Sequence, residues 1–463
     1  MLDKKIYQEA SQKRKEMKER VSTDPFLLDL HVYPETGWLN DPNGLCYYEG
    51  LYHLYFQYSP LDAKRGDIIW GHVSSPDFLT YKSEEPFIFT DSPLDKDGAY
   101  SGSAFIKDGK INFFYTGNVK YEGDYDYIIA GRDHNTIKII SDGYDYDTKI
   151  LVMDHDDYPA DMTRHIRDPK IYEKDGAYYM FLGARAFSNK GMVLIFKSQD
   201  LTKFTYHMRV ETPYDFGYMW ECPDYFEIDG QGILICCPQG LESGEYRFQN
   251  IYQAGYFPLD IDLKNKTYKL GDFVELDYGF DFYAPQTFED PAKRRILIGW
   301  MGMPDADYTN PIGYDWQHAL TIPRVLTYEN GKVYQRPIEE YQRLRDRKIS
   351  LEKGTAYDGK VFEAVVKNMR GDFAVNIRED VTLTYENGVL ILDMGTSSYG
   401  RKLRKIKIDH IEKLQIFSDK SSLEIFINGG EKVMTTRVYS DKYVFSTNDF
   451  DFKIYPLRPL IFQ

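Results

Sequence analysis

The sequence predicts an all-β protein: a five-bladed β-propeller followed by a C-terminal β-sandwich, with a short N-terminal helix. Three observations carry that reading. Short aromatic and β-branched runs bounded by Gly, Pro, Asp and Asn fill residues 30–330. A tight turn recurs between those runs at a nearly regular interval. After a polar helical stretch near residue 340 the strands resume in a different, hairpin-rich pattern. The 463 residues suffice for about three domains of ~150 residues. The expected division is a helical extension over 1–29, the propeller over 30–335, a helical linker over 336–347 and the sandwich over 348–463.

Taken in order, residues 2–20 are rich in Lys, Glu, Gln and Ala, with Leu2, Ile6, Ala10 and Met17 loosely on one side of a helix. The repeat follows. Glu49-Gly50, Asp108-Gly109, Asp175-Gly176 and Asp229-Gly230 each precede an apolar strand, as Ala292-Lys293 does a fifth time. The four Gly turns lie 59, 67 and 54 residues apart. A second signature also recurs, Ser75-Pro76-Asp77-Phe78 with Tyr81 and Ser198-Gln199-Asp200-Leu201 with Phe204. Units of this size hold four strands and their loops, which is a propeller blade. Pro337 to Arg345 reads as a helical linker. Beyond it Val381–Tyr385, the turn Glu386-Asn387-Gly388 and Val389–Leu392 form one hairpin of the sandwich.

Composition excludes several classes of partner. A net charge of −15 without a basic stripe disfavours nucleic acid and anionic membrane surfaces. Forty Tyr and 28 Phe suit strands and also stacking on sugar rings. Cys46, Cys222, Cys236 and Cys237 form no C-x-x-C pair, so neither a metal site nor a disulfide framework is indicated. Met1 to Arg20 lacks the apolar segment of a leader, and no later run reaches the ~18 apolar residues of a span. The expectation is a cytoplasmic protein with no membrane partner and no cofactor. A homo-oligomer stays open.

The chemistry lies one strand before each turn. Asp41 stands nine residues before Gly50, Asp168 eight before Gly176 and Glu221 nine before Gly230. Tyr100-Ser101-Gly102-Ser103 and Phe282-Tyr283-Ala284-Pro285 hold the equivalent place in the second and fifth units. The first strand of a propeller blade lines the central axis, so five remote segments deliver these residues to one funnel. Singly, Asp41-Pro42-Asn43-Gly44 is good turn chemistry and Arg167-Asp168 a plain ion pair. Three acids in register point instead to a glycosidase, one carboxylate as nucleophile and one as proton donor. Arg167 is expected to keep Asp168 ionised. Glu221, flanked by Met219, Trp220 and Cys222, is expected to have the raised pKa of the donor.

Trp38-Leu39-Asn40-Asp41-Pro42-Asn43-Gly44, Trp70-Gly71-His72, Tyr100-Ser101-Gly102-Ser103, Arg167-Asp168-Pro169 and Glu221-Cys222-Pro223-Asp224 stand in the order seen in glycoside hydrolase family 32. The chain resembles that family from His31 to Ser422–Phe426 of the sandwich. The resemblance implies a retaining β-fructofuranosidase acting on a small sugar, sucrose or sucrose 6-phosphate. It implies Asp41 as nucleophile, Asp168 as transition-state stabiliser and Glu221 as acid/base. It further implies a fructosyl subsite drawn from Trp38, Leu39, Asn40, Gln57, Trp70 and Tyr100, with Ser101, Arg167, Tyr283 and Trp300. Leu39, Tyr100 and Tyr81 depart from its commonest residues (Met, Phe and Trp). The absence of a leader favours the phosphorylated sugar, for which Lys64, Arg65, Arg164, Arg185 and Lys190 are candidate contacts. Two other readings stay open: an exo-acting fructan hydrolase and a sugar-binding propeller without turnover. The contacts of Asp315-Trp316-Gln317-His318 are not legible.

Overall fold

A computed structural model describes residues 1–396 and 398–463. Five antiparallel sheets follow one another along the chain, and each opens on a hairpin. Their first strands are Gly37–Tyr48, Ala99–Lys107, Met162–Lys174, Met219–Ile228 and Tyr283–Glu289. Each of these inner strands touches the next, and the fifth touches the first, so the five close a ring.

The recurring turns explain the hairpins. Both central residues have positive φ in Glu49-Gly50 (47° and 88°), Asp108-Gly109 (51° and 69°), Asp175-Gly176 (52° and 71°) and Asp229-Gly230 (51° and 82°). That mirror-image turn matches the right-handed twist of the flanking strands, and Asp and Gly tolerate its φ values. The fifth turn is looser: Lys293 (φ 64°) sits in a loop closed by Asp290 and Arg294. The Ser-x-Asp signature is a turn as well. Ser75 and Ser198 Oγ accept from the N–H of Phe78 (2.7 Å) and Leu201 (3.0 Å), and Asp77 and Asp200 cap the residues that follow. Tyr81 and Phe204 then plug the core.

Two short clasps complete the ring. Trp316–Gln317 pairs parallel with Gly37–Trp38, and Ile461–Phe462 pairs parallel with Thr80–Tyr81. Distant chain thus covers edges that would otherwise present unpaired backbone. The Asp315–His318 stretch anchors the first clasp. Arg20 pairs with Asp315, Trp316 donates to Asp24 (2.6 Å) and Gln317 to the Ala63 carbonyl (2.9 Å).

Past residue 348 two six-stranded antiparallel sheets enclose a core that includes Phe362, Val375, Leu390, Ile416, Ile425 and Phe445. The Asn387-Gly388 turn (φ 51° and 79°) joins Thr382–Glu386 to Val389–Asp393 as expected. The linker contains a 3₁₀ helix, Glu339–Leu344, which buries Tyr341 and Leu344. The N-terminal stretch forms two helices, Lys4–Glu9 and Ser11–Val21, where the sequence suggested one. Leu2, Tyr7, Met17 and Val21 are buried there, while Ile6 is exposed. Among the described residues no helix is long and apolar enough to cross a membrane.

Candidate active site

All five inner strands break register at the corresponding place. The shifts fall between Leu39 and Pro42, between Ala99 and Gly102, between Arg167 and Lys170, between Glu221 and Asp224, and between Tyr283 and Gln286. A β-bulge frees a residue from the ladder and re-aims its side chain. Three of the bulges contain a non-glycine residue in the left-handed region: Asp168 (φ 67°), Cys222 (φ 50°) and Ala284 (φ 45°). That conformation costs roughly 1–2 kcal/mol for a residue with a Cβ, so its surroundings must hold it. Gly102 is required for closeness: a Cβ there would lie 2.1 Å from the Phe114 carbonyl oxygen.

The bulges bring their residues to one cavity of about 530 Å³. Asp41 is the end of a directed chain of donors. Trp38 Nε1 donates to Asn40 Oδ1 (3.0 Å), Asn40 Nδ2 to Gln57 Oε1 (2.7 Å) and Gln57 Nε2 to Ser101 Oγ (2.7 Å). Ser101 donates in turn to Asp41 Oδ2 (2.5 Å), while Asn40 and Gln57 also reach its carboxylate, at 3.1 and 3.3 Å. Burial nevertheless raises the Asp41 pKa, opposed by the Ser101 hydrogen bond and helped by the charge of Glu221. Cys222 joins the next pair: its N–H donates to Asp168 Oδ2 (2.9 Å) and its Sγ lies 3.8 Å from Asp41 Oδ2.

The sequence expectations for Arg167 and Glu221 need correction. The Arg167 guanidinium donates to Glu221 Oε1 (2.6 and 3.1 Å) and comes only within 4.0 Å of Asp168. Burial pushes Asp168 up to about 7, against the pull of Arg167 and with help from Glu221. Chain adjacency misled here because neighbouring strand residues face opposite ways and the bulge redirects one of them. Glu221 is not walled by apolar groups either. Its Oε2 accepts from Gln239 (2.7 Å) and Tyr283 (2.6 Å), and Trp220 turns away to stack on Phe257.

Beneath the acids, buried polar groups fasten the ring. Lys170 reaches Asp224 (3.1 Å) and the Thr287 carbonyl (2.6 Å), and Asp224 accepts from the Thr287 N–H (2.6 Å). Gln286 accepts from the Leu45 N–H (3.0 Å) and donates to the Gly102 carbonyl (2.9 Å). Inner strands one, two, three, four and five are thereby tied side chain to backbone, which fixes the spacing of the carboxylates.

Of the residues the resemblance singled out, Trp38, Asn40, Gln57, Tyr100, Ser101 and Arg167 line the cavity with the three acids, as do Tyr283 and Trp300. Leu39 and Trp70 do not: both are fully buried in the core. Leu39 faces inward because its neighbours in the strand face the cavity. Trp70 supports the wall from behind, donating to the Tyr100 carbonyl (3.1 Å). Arg65 and Arg185 reach the cavity. Lys64 is exposed, Arg164 pairs with Asp133 and Lys190 with Glu211. The sequence reading missed Arg132, His134, His165, Tyr218, Gln239 and Tyr252. The first three come from Arg132–Ser141, the third strand of the second sheet, and from the run just before Arg167, and carry no motif that would have found them.

Comparison with known proteins points to one family. Residues 31–337 match the glycosyl hydrolases family 32 N-terminal domain and residues 353–455 the family 32 C-terminal domain. The chain is 39% identical over 448 residues to a sucrose-6-phosphate hydrolase of Staphylococcus xylosus, covering 92% of this chain and 89% of that one. The Bacillus subtilis sucrose-6-phosphate hydrolase is 37% identical over 446 residues, covering 92% and 91%. Among solved structures, a sucrose-6-phosphate hydrolase from Lactobacillus gasseri superposes with a TM-score of 0.88 at 29% identity, covering 97% of each chain. A Bombyx mori GH32 β-fructofuranosidase mutant in complex with sucrose gives 0.88 at 27% identity over 99% of each chain.

Proposed function

The chain belongs to glycosyl hydrolase family 32, and we propose that it is a hydrolase of sucrose or sucrose 6-phosphate that works by double displacement at Asp41. One observation supports the chemistry above all: three carboxylates from three separate inner strands share one cavity, with Cys222 spanning Asp41 and Asp168 and Arg167 beside Asp168 and Glu221. So crowded a set cannot ionise fully near neutrality, and its proton is held jointly. Asp41 attacks the anomeric carbon of the fructosyl unit while Glu221 passes a proton to the departing oxygen. Water, deprotonated by Glu221, then releases fructose with retained configuration. Asp168 binds ring hydroxyls and balances the oxocarbenium charge. Ser101, Asn40 and Gln57 hold Asp41 in its attacking rotamer.

In this reading the five sheets are the blades of a five-bladed propeller over residues 30–335. Residues 1–29 form a helical extension, 336–347 a linker and 348–463 a sandwich. The cytoplasm is the fitting compartment, because a sugar phosphate does not cross a membrane unaided. Structural neighbours that act on fructans, such as an exo-inulinase of Aspergillus awamori at 21% identity, share the fold and do not favour the fructan alternative. The test compares kcat/KM for sucrose, sucrose 6-phosphate and a short inulin chain in the parent and in Glu221→Gln. Turnover of either disaccharide well above inulin, lost in the variant, supports the assignment. Inulin as the best substrate, or a variant with parental activity, overturns it.

A further inference from the structure

We propose that Arg65, Arg132, His134 and His165 form a phosphate-binding subsite for the 6-phosphate of the leaving sugar. The inference rests on the hydrolase reading and names the part of its substrate that the acids do not touch.

The observations concern unmet valence. In a chain of net charge −15, the arginines Arg65, Arg132, Arg167 and Arg185 line the cavity; Arg167 is paired with Glu221, and Arg185 donates to Asn189 (2.6 Å) and lies over the Tyr218 ring. Among the described residues Arg65 and Arg132 have no carboxylate within 4.0 Å, although both line the cavity. Arg132 Nε is buried without a hydrogen-bond partner. His134 is 4% exposed and neither ring nitrogen has a partner. His165 Nδ1 accepts from Arg167 (2.8 Å), which leaves its Nε2–H a free, buried donor. Buried polar groups are rarely left unmatched unless a ligand completes them.

These groups adjoin one another. The Arg65 guanidinium lies 5.6 Å from the Tyr100 ring, that ring 6.0 Å from His134, and His134 5.5 Å from His165. Arg132 and His134, two residues apart on one strand, project from the same face. Arg167 stands between this wall and Glu221, so the anion site lies on the leaving-group side of the proton donor. Two guanidinium forks and imidazole N–H donors suit the several oxygens of a phosphate dianion. The acids at the other end of the cavity would repel that charge, which fixes the orientation of the substrate.

The test measures the ratio of kcat/KM for sucrose 6-phosphate over sucrose in the parent, Arg65→Gln, Arg132→Gln and Arg132→Lys. The ratio falls roughly tenfold to hundredfold in either Gln variant, as expected for loss of a charge-assisted contact, and recovers in part in Arg132→Lys. A ratio within about threefold of the parent in both Gln variants overturns the proposal; Arg65 is exposed, so its change does not disturb folding. Calorimetric titration with glucose 6-phosphate, glucose and inorganic phosphate gives a second reading without turnover. Tighter binding of glucose 6-phosphate than of either other compound, weakened at least about tenfold in Arg132→Gln, supports the subsite. Equal binding by parent and variant contradicts it. A parent that hydrolyses neither sugar refutes the hydrolase reading, and the titration then decides the subsite alone.

Discussion

Two places in this molecule gather carboxylates from distant strands, and they differ in how the charge is met. At the seam between the five-sheet body and the sandwich, Arg324 reaches Glu424 (2.6 Å) and Asp277 (3.3 Å), and His31 lies between Asp419 (2.8 Å) and Glu424 (3.1 Å). Backbone N–H groups of Leu30, Ile322 and Thr435 complete those acids. Burial works against every charge there. Even so, His31 holds Asp419 below the usual carboxylate range, Arg324 and His31 do the same for Glu424, and the two acids raise His31. Only Asp277 is pushed up, to about 6, by burial that outweighs Arg324. In the cavity Arg167 is paired with Glu221 and comes within 4.0 Å of Asp168, Asp41 has no cationic partner within 4.0 Å among the described residues, and Asp41 and Asp168 are raised. Compensated charge holds sheets together; under-compensated charge stores a proton for chemistry.

The comparison can be broken in both directions. Asp41→Ala removes the proposed nucleophile and should lower kcat by several orders of magnitude, about 10⁴-fold or more, while thermal unfolding stays within a few degrees of the parent. Glu424→Gln should do the reverse. Leaving Arg324 and His31 short of a buried partner costs roughly 3–5 kcal/mol, read as a lowered Tm, while the folded fraction keeps its kcat/KM. If Glu424→Gln spares stability, the seam is not the fastening described.

Proton linkage sharpens the contrast. Asp168 has its folded pKa raised to about 7, so the stability it contributes is present at acid pH and lost as pH rises toward and through 7. Asp168→Asn should therefore raise Tm by a few degrees at pH 8 and change it little at pH 4, with activity reduced at both. Asp419 and Glu424, with lowered pKa values, have the opposite sign: their contribution is present above about pH 4–4.5 and lost as acid protonates them. The smallest effect is kinetic. The kcat/KM profile should bend downward above about pH 7 as the shared proton leaves the cavity, and a profile flat to about pH 9 would contradict joint ownership of that proton.

Most of the fold was legible because its instructions are local. The Asp-Gly turns must take positive φ at both positions, and the strands they join need only alternate. The three acids were legible because they stand eight or nine residues before those turns. Pairing was not. Arg167 lies beside Asp168 in sequence and holds Glu221 in space, a choice made by a bulge whose φ no motif announces. Leu39 shares a motif with the cavity residues Trp38, Asn40 and Asp41 and still faces the core, since a motif records spacing and a pleat decides side. Arg132 and His134 reach the cavity from the third strand of their sheet, and His31 and Glu424 meet across 393 residues of chain; neither approach has a local signature.

The central claim is that the crowded acids act as one site in which Asp41 forms a covalent bond to the sugar. Rapid acid quench during turnover of sucrose, followed by peptide mapping in a mass spectrometer, tests it directly. The account predicts a hexosyl adduct on the peptide that carries Asp41, absent from Asp41→Ala. An adduct at another residue, or none while sucrose is being consumed, would contradict it.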